Sequence, residues 1–205
     1  MSTQKYANDL GDLFRLLPEI ACNEATEFMA RLMHNPAFVT TQIAPLLAST
    51  APARGPSIAR SYGVREASTC LQVFVWPAGA TTPIHDHTSW GAYHCVTGSL
   101  FEQRYDRLDD GEQPSTARLR KAWQRPWCSE DGASTVLPYE KGIHRITNPN
   151  TYLAISMHMY GPRVGVFDGR DYDPKRDFVC DRLEFETLEP FQQSALQATL
   201  AGIYV

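Results

Sequence analysis

Residues 79–98 read GATTPIHDHTSWGAYHCVTG, and the reading of this stretch decides the fold. His85 and His87 stand two apart. On a β-strand, residues i and i+2 project from one face, so the two imidazoles point together. Tyr93, Cys95 and Thr97 then alternate with His94 and Val96, the period of a strand. Working outward, Leu71, Val73 and Val75 alternate with Gln72, Phe74 and Trp76, and Asp110-Gly111 and Asp131-Gly132 are dipeptides of the hairpin type. From Arg54-Gly55-Pro56 to about Gly161 the spacing predicts short strands broken by turns. That is the pattern of an antiparallel sandwich or barrel.

The flanks differ. From Ala25 the apolar residues Phe28, Met29, Leu32 and Met33 fall on one helical face. Asn23 is the expected N-cap and Asn35-Pro36 the expected stop, with the Met and Phe stripe read as packing. PFQQSALQATL, Pro190 to Leu200, predicts a short closing helix with Pro190 in its first turn. Arg118 to Arg125 (RLRKAWQR) reads as a solvated strand face.

A length of 205 residues suits one domain, and 43% hydrophobic with 11% aromatic content supports a sizeable core. The net charge of -4 argues against a nucleic-acid coat, which needs a dominant basic field. No apolar run is long enough for a bilayer, and MSTQKYANDLG lacks the apolar centre of a signal peptide. The five cysteines (22, 70, 95, 128 and 180) are odd in number and form no CxxC pair, which argues against a disulfide framework or a Cys-based zinc site. The expectation is a soluble, cytoplasmic protein with no nucleic-acid or membrane partner.

Five of the six histidines lie between 85 and 158. Gly79 precedes His85 by six residues, and Gly98 follows His87 by eleven. Further on come Pro138-Tyr139-Glu140-Lys141-Gly142-Ile143-His144 and then Asn148. These residues resemble the two motifs of the cupin superfamily, G-x5-H-x-H-x3,4-E-x6-G and P-x-G-x2-H-x3-N, the second with one residue shifted before Gly142. The resemblance implies a double-sheet β-barrel (jelly roll) with a metal inside. It divides the single domain 1–205 into a helical N-terminal segment (1–55), a cupin barrel (56–165) and a C-terminal extension (166–205). At the place of the motif's Glu stands Gly91, so His85, His87 and His144 form a three-histidine set with no carboxylate. His34, in a helix-ending HNP, and His94, expected to face opposite to Gly91, are read as non-ligands.

Imidazole suits Fe, Zn, Cu and Ni alike. Three neutral imidazoles leave a divalent cation its full charge, which favours an anionic co-ligand such as a thiolate. With Fe(II) and O2, the expected product is a sulfinic acid, two oxygens on one sulfur. The segments PIHDHTSWG, GIHRITNPN and SMHMYG further resemble the thiol dioxygenases, the cysteine dioxygenase group of cupins. That resemblance implies Fe(II) on the three histidines and a Ser156–His158–Tyr160 row, which lies at period two on one strand face, with Tyr160 nearest the bound thiol and O2. It also implies that Arg60 grips a substrate carboxylate, if one residue is deleted between Arg65 and Thr69, with Arg163 and Arg170 as rivals. The Cys of the Cys–Tyr crosslink in animal members falls on Gly91, so Tyr160 is expected to be uncrosslinked, as in bacterial-type members; Cys95 is read as packing.

The leading expectation is an iron thiol dioxygenase acting on a small carboxylate-bearing thiol, L-cysteine first and 3-mercaptopropionate second. The alternatives are a cupin using Zn, Ni or Mn for non-oxidative chemistry and a non-catalytic ligand-binding cupin. Chain length and charge set no oligomeric state.

Overall fold

A computed structural model describes residues 17–48, 56–62, 70–165 and 167–183. Among the described residues eleven strands follow the helical segment: β1 (Ser57–Tyr62), β2 (Cys70–Trp76), β3 (Ile84–His85), β4 (Gly91–Thr97), β5 (Ser99–Arg107), β6 (Leu119–Cys128), β7 (Ala133–Val136), β8 (His144–Thr147), β9 (Ala154–Tyr160), β10 (Phe167–Asp173) and β11 (Phe178–Leu183). They form two antiparallel sheets, in the orders β1-β2-β9-β4-β7 and β11-β10-β3-β8-β5-β6. This is the antiparallel barrel expected from the strand pattern, in the double-sheet form that the cupin resemblance implies.

The sequence of β9, AISMHMY, assigns the two sides of the first sheet. Ile155, Met157 and Met159 join one apolar cluster with Leu71, Val73 and Val75. The intervening Ser156, His158 and Tyr160 face the barrel interior, where Tyr160 packs with Trp76, Tyr93, Leu100 and Trp127. Helix α1 (Pro18–Met33) covers the outer face with Ala21, Cys22, Ala25, Phe28, Met29 and Leu32. Each large side chain buried there contributes about 1.5–3 kcal/mol. The polar row is therefore enclosed because its apolar alternates need the helix.

Several local expectations are corrected. Asn23 is not the cap of α1: the helix starts at Pro18, whose fixed φ and missing N–H suit a first turn, and Asn23 lies exposed within it. Asn35 does stop α1, and its side chain then caps the next helical run by accepting from the N–H groups of Ala37 and Phe38. Asp110-Gly111 lies in the β5–β6 hairpin, but Asp131-Gly132 links β6 to β7, which belong to different sheets. The second sheet also continues past residue 165, because β10 pairs with both β3 and β11. The helix expected at Pro190 to Leu200 lies outside the described residues.

Two motif residues have structural tasks. The Asn148 side chain donates to the carbonyls of Trp76, Pro77 and Tyr152, and its Oδ1 accepts from Asn150, so it pins the turns at one end of the barrel. At Gly142 a Cβ would collide with the Leu137 carbonyl, so only glycine lets this turn deliver His144 to the head of β8. Residues 120–126 of β6 are exposed, as expected of a solvated edge strand. Among the described residues no helix is long and apolar enough to cross a membrane.

Candidate metal centre and the row beside it

The inner faces of both sheets build the site. β3 ends at His85, which stands directly opposite His144 on β8, and His87 follows two residues past the strand end. Their metal-binding atoms lie within 4.8 Å of one another, and all three side chains are buried. The Nε2 atom of His144 is 3.1 Å from that of His85 and 3.3 Å from that of His87.

The hydrogen bonds on the far side of two rings settle where the protons are. His85 Nδ1 faces the Pro83 carbonyl at 3.0 Å, and a carbonyl can only accept, so that nitrogen carries the proton. His144 Nδ1 faces the Glu102 carboxylate at 3.3 Å and donates likewise. Burial holds both rings neutral, lowering the pKa of His144 and placing that of His85 well below its ordinary value of 6.5, with the charge of His144 as the next cause. Two Nε2 lone pairs therefore face each other at 3.1 Å. A cation between them turns repulsion into coordination, so the donor set fits a metal ion bound by neutral imidazoles.

Glu102 was not singled out by the sequence reading. Its side chain is fully buried, accepts from Arg104 Nε at 2.8 Å and Ser134 Oγ at 2.5 Å, and orients His144. Burial opposes its ionisation, but the His144 hydrogen bond, the Arg104 charge and the Ser134 hydroxyl hold its carboxyl down to about 2. The available signal was strand alternation: Glu102 shares the inward face of Leu100, where a carboxylate needs partners.

Asp86, between the first two ligands, is fully buried on the other side of the chain. Its carboxylate accepts from the Arg170 backbone, from Arg170 Nε and Nη2, and from the Tyr172 hydroxyl at 2.7 Å. Arg170 also reaches Glu140 at 2.8 Å. Its guanidinium thus faces two carboxylates of the scaffold. Arg163 lies half-buried in the segment between β9 and β10, where the next residue, Val164, donates its N–H to Thr88, adjacent to His87. For Arg60 the described feature is its backbone register with Val73, just after an irregularity in the β1–β2 pairing.

Ser156, His158 and Tyr160 form one continuous chain on β9. Trp76 Nε1 donates to Ser156 Oγ at 2.8 Å, and indole N–H is a donor only. The Ser156 oxygen shares a second hydrogen bond with His158 Nε2 at 2.7 Å. Burial pushes the pKa of His158 down to about 3, so the ring is neutral and carries one N–H; its Nδ1 stands 2.9 Å from the Tyr160 oxygen. On its other side the Tyr160 ring lies 5.1 Å from the His87 ring. Gly91 pairs directly with Tyr160 across β4 and β9, so the position opposite this phenol carries no thiol. Cys95 pairs with Ser156 instead, and burial raises its thiol pKa to about 12. His94 pairs with Met157 on the helix side, and His34 lies exposed at the end of α1, so neither joins the cluster.

A cupin barrel with three imidazoles able to share one metal defines a metal-binding cupin. Residues 65–172, more than half of the chain, match the family Cysteine dioxygenase type I, and the chain belongs to that family of metal-dependent dioxygenases. Among solved structures it is similar to an oxalate oxidase in complex with the substrate analogue glycolate (TM-score 0.45, 12% identity, 79% of this chain and 80% of that one). It is also similar to a protein from Thermus thermophilus (TM-score 0.41, 16% identity, 58% and 94%). A further similarity is to a Cupin 2 conserved barrel domain protein from Salinispora arenicola (TM-score 0.35, 15% identity, 51% and 72%).

Proposed function

We propose that the protein is an Fe(II) thiol dioxygenase that converts a small carboxylate-bearing thiol, L-cysteine first, and O2 to the sulfinic acid. His85, His87 and His144 hold the iron. The observation that carries this reading is the donor set: three buried imidazoles with no carboxylate among them, beside a row that ends in a phenol. Bound Fe(II) supplies coordination positions for a thiolate and O2 and the electrons that activate O2.

The chain's own residues do the rest. Glu102 holds the His144 ring with its Nε2 toward the centre. Ser156 and Trp76 hold the His158 ring in place, and in the tautomer whose Nδ1 carries the proton His158 donates to the Tyr160 oxygen, leaving the Tyr160 proton for substrate or oxygen. Arg60 pairs with the substrate carboxylate; Arg163, close in the chain to the Thr88 contact, is the second candidate. The barrel interior, lined by Trp76, Tyr93, Leu100 and Trp127, keeps water from the sulfur. Both atoms of O2 go to sulfur, which loses four electrons as O2 gains four, and the thiol proton is released.

The test is oxygen uptake and sulfinate formation by the Fe(II)-loaded protein with cysteine, 3-mercaptopropionate and cysteamine, with Arg60→Gln and Arg163→Gln alongside. Turnover of the carboxylate-bearing thiols, weakened in one Arg variant, supports the reading. No turnover with any of the three overturns it. Metal analysis of protein purified without added iron separates it from a Zn, Ni or Mn cupin.

A further inference from the structure

Tyr93 lies on the same inward face of β4 as Gly91 and is fully buried. Its ring stacks on His144, with centroids 5.2 Å apart and planes 17° apart. Its hydroxyl oxygen stands 3.4 Å from His144 Nε2, the atom that points at the metal position. On its other sides are the rings of His158 at 4.7 Å and Tyr160 at 6.2 Å. A phenol oxygen this close to Nε2 can hydrogen-bond that nitrogen or a group bound beside it. The hydroxyl therefore borders the coordination position next to His144.

Gly91 explains why the hydroxyl can be there. A Cβ on residue 91 would stand 3.0 Å from the Tyr93 oxygen, 3.0 Å from Val136 Cγ2 and 3.2 Å from Tyr93 Cε1. Those approaches are tighter than ordinary contacts, so a Cβ at 91 would push the Tyr93 ring away by a few tenths of an ångström, and any larger side chain at 91 would press on the same oxygen. The two positions are thus alternatives: a reactive side chain at 91, or a phenol from 93.

We infer that Tyr93 is a second phenol of the reaction centre, donating its hydroxyl proton to the anionic group bound beside His144, and that Gly91 is the space this hydroxyl requires. The inference rests on the metal-centre reading above. It assigns the centre two phenols reaching it from neighbouring strands, Tyr160 from β9 and Tyr93 from β4.

Azide binding to the Co(II)-loaded protein, followed by visible absorption, tests it without any thiol turnover. Tyr93→Phe keeps the ring and removes the donor, so azide binds about tenfold more weakly while Co(II) affinity stays within about twofold. Gly91→Ala displaces the hydroxyl and weakens azide to a similar degree, and the double variant is no weaker than either single one. Unchanged azide affinity in folded, Co(II)-bound Tyr93→Phe overturns the inference, as do additive effects of the two substitutions. Should Tyr93→Phe fail to fold, Gly91→Ala decides alone: weakened azide supports the inference and unchanged azide overturns it. A wild-type protein that binds no Co(II) overturns the metal-centre reading and this inference with it.

Discussion

Glu102→Gln keeps the size of a fully buried side chain and removes its charge. In the wild-type protein the carboxylate holds three donors: His144 Nδ1 at 3.3 Å, Arg104 Nε at 2.8 Å and Ser134 Oγ at 2.5 Å. Gln offers one oxygen to those donors and turns an N–H2 group toward groups that donate. The displacement of the carboxyl from its ordinary 4.5 to about 2 measures what is lost. It corresponds to about 3 kcal/mol of folding stability at neutral pH. Because the folded pKa is the depressed one, this contribution is complete above pH 4.5 and fades as pH falls toward 2. Urea unfolding of metal-free protein should show the variant less stable by about 3 kcal/mol at pH 7, with the gap smaller by roughly 1 kcal/mol at pH 3.5. With His144 no longer held by a carboxylate, Co(II) affinity should fall about 10–100-fold. A gap below about 1 kcal/mol at pH 7, or one that does not change down to pH 3.5, would refute this account of Glu102.

Three further outcomes follow from named contacts. Tyr160→Phe should lower kcat for thiol oxidation about a hundredfold with metal content unchanged, measured by oxygen uptake and metal analysis, because only the donated proton is lost. Asn148→Ala removes the amide that serves the carbonyls of Trp76, Pro77 and Tyr152, so chemical unfolding should report a loss of about 3 kcal/mol. Arg170→Met leaves Asp86 buried without its guanidinium and should cost about 3–5 kcal/mol of stability, yet leave the preference for cysteine over cysteamine unchanged, which steady-state kinetics on the folded variant checks.

The period-two runs and the pairing of His85 with His87 were enough to read a strand-built barrel, because alternation along a strand is a local property. The resemblance to the cupin motifs marked His144 as the third imidazole, and that to the thiol dioxygenases marked the Ser156–His158–Tyr160 row, whose members share a strand face because i and i+2 lie on one side. The helical stripe of Phe28, Met29 and Leu32 was legible for the same reason, although Pro18 rather than Asn23 opens that helix. Only the tertiary structure decided what stands across from each residue. That Glu102 orients His144, that Arg170 is taken up by Asp86 and Glu140, and that the Tyr93 hydroxyl fills the room left by Gly91 all depend on strand register and sheet-to-sheet contact. Those partners are far apart in sequence, and a side chain's charge partner or neighbour across a barrel leaves no periodic trace in the chain that carries it.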